Sequence, residues 1–269
     1  MSFDDYQTLK FERRPNGVLL ITLDRPDRKN AINATMHTEL VRVWDEVARD
    51  KATSVAVITG AGDHFCGGAD AEMVQDSSDP GADIEHSLME AMSIPLNMVG
   101  CAKPIVSAIN GTAIAGGLAV ALCADITVAA DDAFLCDGHI RAGLVPGDHS
   151  ALIWPMLCGM AKSRYYLMTG RGLKGAEAER IGLVTMCRPR DQVLETALRI
   201  ADDLGTGPQV ALRFTKRALN NWLRMAQPIF ENSTALEQLS LFHPDVQEGV
   251  SAMKEGRKPV FPSAQVSED

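Results

Sequence analysis

Two pairs of glycines, Gly67-Gly68 and Gly116-Gly117, have the clearest chemical meaning in this chain. Each pair follows a short apolar run that predicts a strand, at residues 55–59 and 104–109, and each precedes a segment that can begin a helix. Because glycine lacks a β-carbon, it allows a sharp turn and the close approach of a ligand. The N–H groups at such a turn, next to a helix N-terminus, attract negative charge. Two such turns that converge would form an oxyanion hole, which stabilises an enolate or a tetrahedral oxyanion.

Neither glycine pair has the spacing of a known phosphate-binding loop. The dinucleotide pattern G-x-G-x-x-G and the phosphate loop G-x-x-x-x-G-K-[ST] are both absent around them. A single pair would be explained equally well by a tight turn between a strand and a helix. The prediction of an oxyanion hole therefore depends on both pairs and on their flanking sequence.

The elements that must position these turns follow from the hydrophobic pattern. Alternating apolar and polar residues predict a β-hairpin at residues 8–14 and 18–23, joined by Pro15-Asn16-Gly17. Strands that alternate with helices favour an α/β core with helices on its faces. The further predicted strands are at residues 54–59, 104–109 and 126–130, and a short helix is predicted between the second glycine turn and the last of these strands. The other predicted helices are at residues 35–50, 84–99, 151–158, 162–168, 175–181, 190–204, 208–225, 228–241 and 246–255.

This pattern divides the chain into two parts. Residues 1–204 are predicted to form the core domain, and residues 205–269 a helical C-terminal region. Residues 76–81 are rich in Ser, Asp, Pro and Gly, which predicts a mobile loop.

The composition excludes several classes of protein. A length of 269 residues is sufficient for one large domain with a buried core. The formal net charge of −9 argues against non-specific nucleic-acid binding, which needs a basic face. The six cysteines form no C-x-x-C pair, so neither a metal site nor a disulfide framework is predicted. The N-terminus lacks an apolar signal core and no apolar stretch is long enough to span a bilayer, so we expect a cytoplasmic protein without a membrane partner.

Several further motifs occur in a fixed order along the chain. They are Leu23-Asp24-Arg25-Pro26, Asn30-Ala31, Phe65-Cys66-Gly67-Gly68-Ala69-Asp70, Ile109-Asn110-Gly111, Ala124-Asp125-Ile126, Gly143-Leu144-Val145-Pro146-Gly147 and residues 178–184. With these motifs the chain resembles the crotonase, or enoyl-CoA hydratase/isomerase, superfamily over nearly its whole length. The resemblance implies a crotonase-like spiral of ββα units with two roughly perpendicular sheets, followed by a helical region that forms a homotrimer or a dimer of trimers.

The resemblance also implies a chemistry and a substrate. Members of the superfamily stabilise a thioester enolate with two backbone N–H groups, which fall here on Gly67 and Gly116. The substrate would be an acyl-CoA thioester, so coenzyme A would belong to the substrate and no cofactor would be bound permanently. The implied coenzyme A contacts are Arg25, Arg28, Lys29, Ala69, Asp70 and Lys216.

The chain departs from the superfamily at the residues that decide the reaction. A typical hydratase positions water with two glutamates, but Ala119 stands at one of these positions and His139 aligns with the other. An imidazole has a reference pKa of about 6.5, so it can accept a proton near neutral pH. A carboxylate at its other nitrogen would fix the tautomer and stabilise the imidazolium. We therefore predict His139 as the general base with Asp148 as its orienting partner, and Asp137 as the competing candidate for that role.

Three functions remain open at this point. The first is an enoyl-CoA hydratase/isomerase type of enzyme in which His139 moves the proton. The second is a β-diketone or β-keto thioester hydrolase that would use His139 and Asp148 to activate water. The spacing of this histidine and aspartate resembles that of the β-diketone hydrolase branch of the superfamily. The third is a catalytically silent protein that binds coenzyme A. Glu85 and His86 are candidates for the acyl pocket, and His149 either lines the pocket or lies at a helix start on the surface.

Overall fold

The computed structural model of the protein describes residues 3–70, 72–73 and 84–265. The predicted loop at residues 76–81 lies outside the described residues, and so does the side chain of His86.

The larger of the two sheets contains the predicted hairpin at its edge. Strand β1 (Leu9–Arg13) pairs antiparallel with β2 (Val18–Leu23), as the alternating pattern predicted. The strands β3 (Val55–Gly60), β5 (Ile105–Ile109), β7 (Ile126–Ala130) and β10 (Met186–Arg188) follow in parallel, giving the order β1-β2-β3-β5-β7-β10. Every residue of β3 and β5 is buried, because the sheet is covered on both faces.

Four short strands form a second sheet that the hydrophobic pattern did not predict. They are β4 (His64–Cys66), β6 (Thr112–Ile114), β8 (Phe134–Cys136) and β9 (Leu173–Lys174), in the order β4-β6-β8-β9. Each of β4, β6 and β8 comes a few residues after a strand of the larger sheet, so the chain passes from one sheet to the other three times. Runs of two or three residues are too short for a periodic pattern to reveal them. The two glycine pairs follow β4 and β6.

The helices of the described residues agree with the predicted ones in number and order except at one place. Gly159, with a φ of 75° and a ψ of 158°, has a non-helical backbone and separates residues 150–169 into two helical segments, as predicted. Asn220 separates two helices where one was predicted. The helices of the described residues after the hairpin are α1 (Ala34–Arg49), α2 (Ile84–Gly100), α3 (Gly116–Leu122), α4 (Ser150–Thr169), α5 (Gly175–Arg180), α6 (Val193–Gly205), α7 (Gln209–Leu219), α8 (Asn221–Met225), α9 (Gln227–Ser240) and α10 (Pro244–Glu255).

The last two helices return to the end of the small sheet. Helix α9 packs against α2 and α4, and α10 packs against a short 3₁₀ helix, His139–Ala142, that follows β8. A small apolar cluster, separate from the main core, joins them to the segment after β8, and it is formed by Ala142, Leu144, Leu241, Val246 and Val250. The C-terminal region therefore contributes to the surroundings of His139. The boundary between residues 204 and 205 stays a prediction.

Across the described residues, every helix is either too short or too polar to cross a lipid bilayer. The cytoplasmic location stays a prediction.

Candidate active site

The first glycine turn does not present the amide that the sequence analysis assigned to it. The amide of Gly67 donates a hydrogen bond of 2.8 Å to the carbonyl oxygen of Lys29. An N–H group that is already bonded to a backbone carbonyl does not stabilise an oxyanion without losing that bond. The assignment of Gly67 as a donor therefore needs correction.

Unlike the amide of Gly67, the amide of Ala69 is available to donate to an oxyanion. Ile32 forms a parallel bridge with Ala69, in which the Ile32 amide donates to the carbonyl of Gly68 at 2.8 Å and the Asp70 amide donates to the carbonyl of Ile32 at 2.9 Å. The amide of Ala69 takes no part in this bridge, so it points to the opposite side of the strand. Within the described part of the chain it has no hydrogen-bond acceptor.

The second glycine turn begins a helix, as predicted. Gly116 is the first residue of α3, and its amide has no acceptor among the residues that the structure describes. Ala115, which precedes it, has a φ of 45° and a ψ of −121°, a conformation that costs an alanine about 1–3 kcal/mol. The Ala115 amide donates to the carbonyl of Cys136 at 3.0 Å, which holds the turn in place.

The two turns lie against each other. A β-carbon at Gly68, which has a φ of 90°, would lie 3.1 Å from the carbonyl oxygen of Ile114 and 3.6 Å from Cβ of Ala115. A β-carbon at Gly116 would lie 3.3 Å from Cδ1 of Ile32, the residue that bridges Ala69. The convergence expected from the two glycine pairs is thus present, with Ala69 in place of Gly67.

His139 lies beside this pair of turns, in a buried cluster of carboxylates. It is the first residue of the 3₁₀ helix after β8, and its side chain is 7% exposed. Its Nδ1 atom lies 3.1 Å from Oδ1 of Asp137. Its Nε2 atom lies 3.7 Å from Oδ2 of Asp148, and that same oxygen would lie 3.9 Å from a β-carbon at Gly116.

The structure therefore exchanges the two partners that the sequence analysis proposed for His139. Asp137, the competing candidate, makes the contact with Nδ1 that orients the ring. Asp148, the preferred candidate, lies beside the other nitrogen, on the side of the glycine turn. Asp148 is thus close enough to act on the same small molecule as His139.

Glu237 is the residue of this cluster that the sequence analysis missed. Its Oε1 atom lies 3.5 Å from Nε2 of His139, and its buried Oε2 atom has no hydrogen-bond partner among the described residues. The signal that could have revealed it is its position in α9, three residues after Thr234 and seven after Phe230, both of which are buried. A carboxylate on the buried face of an amphipathic helix is rare unless it is paired or functional.

The approach of α9 to the cluster depends on Gly147. A β-carbon at this position would lie 2.3 Å from the carbonyl oxygen of Ser233 and 2.7 Å from Cβ of Glu237, so no side chain fits. The hydroxyls of Ser233 and Thr234 donate to the carbonyl oxygen of Gly147 at 3.0 and 3.2 Å. These contacts fasten the segment that carries Asp148 to the helix that carries Glu237.

The surroundings of the two aspartates in this cluster lower their pKa values. Burial alone would raise the pKa of Asp148, but the nearby His149 and His139 outweigh burial and lower it to about 2. Burial acts on Asp137 in the same way, and the attraction and hydrogen bond of His139 lower its pKa below the usual value. Both aspartates are therefore carboxylates at neutral pH.

His139 and Glu237 shift in the opposite direction, toward their protonated forms. Burial alone would lower the pKa of His139, but Asp137, Asp148 and Glu237 outweigh it and raise that pKa well above 6.5. Burial raises the pKa of Glu237 to about 8, with repulsion from Asp148 and Asp137 adding to it and His139 opposing it. The neighbouring carboxylates thus favour the protonated form of His139, and burial favours the protonated form of Glu237.

Three of the predicted coenzyme A contacts, Arg25, Asp70 and Lys216, are engaged in ion pairs. Nη1 of Arg25 lies 2.8 Å from Oδ2 of Asp70 and also bonds the carbonyl of Ala31. Nζ of Lys216 lies 2.7 Å from Oδ2 of Asp125, and the Lys216 side chain is only 5% exposed. A buried ammonium that is paired in this way does not contact a phosphate, so the assignment of Lys216 needs correction.

The remaining predicted residues are placed as follows. Arg28 and Lys29 are exposed, as a phosphate contact requires. Ala119 is buried in α3 and offers no polar side chain to the site. His149 is fully buried, which excludes the surface role that the sequence left open. Glu85 is exposed at the start of α2.

The cluster also has the composition of a metal site. Two groups of three residues each have potential ligand atoms within 4.8 Å of one another. The first group is Asp137, Asp148 and His149, and the second is His139, Asp148 and Glu237. Carboxylate and imidazole groups suit several divalent metals, so these are the residues that would hold one. The closest of these contacts pair the ligand groups with each other, and the absence of a resident metal stays a prediction.

The fold is a mixed α/β fold, and two backbone amides without acceptors among the described residues lie near the buried cluster around His139. The sequence model of the enoyl-CoA hydratase/isomerase family matches residues 13–264, so the chain belongs to this family. The 1,2-epoxyphenylacetyl-CoA isomerase of Escherichia coli is 30% identical over 257 residues, which are 91% of this chain and 95% of that protein. The mevalonyl-coenzyme A hydratase of Aspergillus fumigatus is 30% identical over 90% of each chain.

Similar solved structures have the same fold. An enoyl-CoA hydratase/isomerase from Mycobacterium paratuberculosis superposes with a TM-score of 0.87 at 30% identity, covering 92% of this chain and 99% of that one. A β-diketone hydrolase from the cyanobacterium Anabaena, bound to (S)-3-oxocyclohexyl acetic acid, superposes with a TM-score of 0.82 at 28% identity. The latter match covers 89% of this chain and 96% of that one.

Proposed function

We propose that this protein hydrolyses the carbon–carbon bond between the two carbonyl groups of a β-dicarbonyl compound. The observation that carries the proposal is the position of Nε2 of His139, 3.5 Å from Glu237 and 3.7 Å from Asp148, next to the turn at Gly116. A base, an acid and an oxyanion donor are thus next to one another. Hydrolysis of a β-dicarbonyl compound needs these three functions together.

The reaction begins when water attacks one carbonyl carbon. His139 in its neutral form accepts a proton from this water at Nε2, while Asp137 holds the ring through Nδ1. The carbonyl oxygen becomes an oxyanion, which the amides of Ala69 and Gly116 stabilise. Removal of one such donor typically raises a barrier by about 3 kcal/mol.

The tetrahedral intermediate then loses its bond to the carbon between the two carbonyls. The electron pair of that bond forms an enolate at the second carbonyl, and Glu237 donates its proton to the enolate carbon. His139 returns its proton to Glu237 across the 3.5 Å between them, which restores the starting state. The products are a carboxylic acid and a ketone, whose atoms sum to the substrate and one water.

Two features of the chain and one similar protein support hydrolysis over the hydration of an enoyl thioester. Ala119 and His139 stand where the superfamily pattern has two glutamates, so the usual pair of carboxylates for positioning water is missing. Two of the cations expected to contact coenzyme A, Arg25 and Lys216, are held in ion pairs. The similar β-diketone hydrolase adds support from outside the chain.

The second candidate function is conversion of an acyl-CoA thioester by hydration or double-bond migration. The family model and relatives named for coenzyme A substrates favour it, and the exposed Arg28 and Lys29 remain for a phosphate contact. In this case the oxyanion is a thioester enolate, and His139 moves a proton between substrate carbons. The two candidates share the oxyanion donors and differ in whether water breaks a carbon–carbon bond.

The test is incubation of the enzyme with 2,2-dimethylcyclohexane-1,3-dione in ¹⁸O-labelled water, beside crotonyl-CoA and a 3-enoyl-CoA. This dione has no proton between its carbonyls, so it does not convert to an unreactive enolate. We expect 6-methyl-5-oxoheptanoate with one ¹⁸O in its carboxylate, formed far more slowly by His139→Ala. Turnover of a thioester without cleavage of the dione would contradict hydrolysis and support the second candidate. Binding of coenzyme A without turnover of any substrate would indicate a silent binding protein.

We also propose that the chain forms a homotrimer through its C-terminal helices. Several large apolar side chains of α7, α8 and α9 are exposed, more than a monomer surface usually carries in one region. They include Val210, Phe214, Leu219, Trp222, Met225, Ile229 and Leu239. We expect light scattering to give the mass of three chains or a multiple of it; a monomer mass would contradict the proposal.

A further inference from the structure

Asp148, His149 and Ser150 are consecutive in sequence, and all three are turned toward the cluster around His139. His149 and Ser150 are completely buried, although histidine and serine are usually found near solvent. His149 precedes the first residue of α4, but its side chain does not cap that helix. A buried imidazole that leaves the cap unused needs another reason for its position.

The contact that explains His149 is with Asp148. Nδ1 of His149 lies 2.6 Å from Oδ1 of Asp148, the distance of a strong charge-assisted hydrogen bond. This bond uses one carboxylate oxygen of Asp148. The other oxygen, Oδ2, is the one that faces Nε2 of His139 at 3.7 Å and the turn at Gly116. His149 thus determines which oxygen of Asp148 is presented to the site.

Ser150 makes the equivalent contact with the other aspartate. Its hydroxyl donates to Oδ2 of Asp137, whose Oδ1 lies 3.1 Å from Nδ1 of His139. The same hydroxyl oxygen lies 3.3 Å from Nε2 and 3.4 Å from Nδ1 of His149, against the imidazole ring.

These contacts close a ring around the reacting imidazole. The ring runs from His139 to Asp137, Ser150, His149, Asp148 and back to His139. Oδ1 of Asp137 faces His139, and its Oδ2 accepts from Ser150. Oδ2 of Asp148 faces His139, and its Oδ1 contacts His149. Both carboxylates are therefore held at two points, and their rotation is restricted.

We propose that His149 and Ser150 are positioning residues that hold Asp148 and Asp137 in place on the two sides of His139. The proposal deepens the proposed function, because it assigns the residues that keep the base aligned for proton transfer. His149 acts through Asp148 and Ser150 acts through Asp137, and neither contacts the substrate. Catalytic groups held at two points lose little alignment between turnovers, which is what rate acceleration by preorganisation requires.

The charges that face His139 come from three parts of the chain. They are Asp137 after β8, Asp148 before α4 and Glu237 on α9, while His149 faces Asp148 and Asp137 from behind. A change at His149 therefore alters the protonation of His139 only through the two aspartates. This predicts an effect on His139 that loss of packing alone would not produce.

The first test compares His149→Ala with His149→Asn, using the dione assay. Asparagine places an N–H donor near the position of Nδ1, so it should keep the bond to Asp148. Loss of a residue that orients a functional ligand typically costs 10–100-fold, and we expect kcat of His149→Ala to fall by about that factor, with KM nearly unchanged. His149→Asn should recover most of the loss. His243→Ala, which removes a largely exposed histidine at the start of α10, is the matched control and should keep full activity.

The second test does not depend on turnover. We expect an NMR titration of the ring nitrogens to show His139 losing its proton at lower pH in His149→Ala than in the wild type. The reason is that a freely rotating Asp148 stabilises the imidazolium less. This readout is retained if the dione proves not to be a substrate, so a failure of the proposed function and a failure of this inference are distinguishable.

The third test concerns Ser150. Ser150→Ala should lower kcat in the same way, because Asp137 loses its second contact. Ser163→Ala removes another buried hydroxyl of α4, whose partners among the described residues are Gly159 and Cys158 of the same helix, and it should have no effect on kcat. The inference is overturned if His149→Ala keeps the wild-type kcat and His139 titration, or if His149→Asn is as impaired as His149→Ala in both. If His149→Ala does not fold, His149→Asn and Ser150→Ala decide the matter by the same two readouts.

Discussion

Oε1 of Glu237 lies 3.5 Å from Nε2 of His139, although one residue follows a short strand and the other belongs to a helix near the end of the chain. The protonated form of Glu237 is favoured by burial and by repulsion from Asp148 and Asp137, whereas that of His139 is favoured by the attraction of the same aspartates, which outweighs burial. When the cluster loses one proton, neutral His139 beside protonated Glu237 places a base next to an acid. This pair is the arrangement that the proposed hydrolysis uses.

Replacement of His139 tests whether this side chain is the base. We expect His139→Ala to lower kcat for the dione by at least about 100-fold, the usual contribution of a general base. Circular dichroism should show that the variant remains folded. His243→Ala serves as the control histidine. Near-normal turnover by His139→Ala would remove His139 from the mechanism.

Replacement of Glu237 by glutamine separates its catalytic role from its effect on stability. Glutamine resembles the protonated carboxyl group in shape but has no acidic proton to donate, so we expect kcat to fall by about 100-fold or more. Because the pKa of Glu237 is raised to about 8 in the folded protein, ionisation opposes folding. The pKa of a glutamate in the unfolded chain is about 4.3. The contribution of Glu237 to the free energy of unfolding should therefore decrease as the pH rises from about 4.3 to about 8.

Thermal melting at pH 5 and pH 9 measures that contribution. The quantity to compare is the Tm of Glu237→Gln minus the Tm of the wild type. We expect this difference to be more positive at pH 9 than at pH 5. Glu231→Gln, an exposed acid on the same helix, is the control and should show no such difference. An equal offset at both pH values would show that Glu237 does not titrate as described.

The pH dependence of the reaction follows from the charges around His139. Because neighbouring carboxylates raise the pKa of His139 well above 6.5, kcat should increase with pH beyond that value as the neutral base forms. It should decrease again above about pH 8, where Glu237 loses the proton that it donates. Asp137→Asn keeps an oxygen acceptor for Nδ1 but removes one negative charge, so the rise should move to lower pH. Asp132→Asn, which affects a surface ion pair with Arg190, should leave the profile unchanged. A profile that does not respond to Asp137→Asn would contradict this account of the cluster.

Lys216 is expected to support the fold and not the binding of coenzyme A. Its ammonium bonds Oδ2 of Asp125 at 2.7 Å and the carbonyl of Lys103 at 2.9 Å, and so ties α7 to the large sheet. Removal of one partner of a buried ion pair costs about 3–5 kcal/mol, because the other charge stays buried. Lys216→Met should therefore lower the free energy of unfolding by about that amount in urea denaturation. Lys258→Met, at an exposed position, should change it by less than about 0.5 kcal/mol.

A coenzyme A titration completes this comparison. If the protein binds coenzyme A, Lys216→Met should retain the wild-type affinity at temperatures where it is folded, whereas Arg28→Met should weaken binding. A stable Lys216→Met variant with weakened binding would return Lys216 to the ligand contacts.

Much of the fold could be predicted from local patterns. The hairpin of β1 and β2, the buried strands β3 and β5 and nearly all the helices follow from periodicities that span five or more residues. The short strands of the second sheet could not be predicted in this way. Their two or three residues carry no period, and they exist because the neighbouring strand provides hydrogen bonds.

For the site as well, one part could be predicted from the sequence and another part could not. The sequence by itself determined that two glycine turns and a histidine flanked by aspartates are present, because residue type and local order decide what a turn or an imidazole can do. Only the tertiary structure decided which groups are free to act. The Gly67 amide is bonded to Lys29, the Lys216 ammonium is bonded to Asp125, and Glu237 approaches His139 because α9 packs against Gly147. Each of these outcomes depends on which distant part of the chain occupies the adjacent space, and hydrogen bonding and burial between distant segments leave no mark on the local pattern.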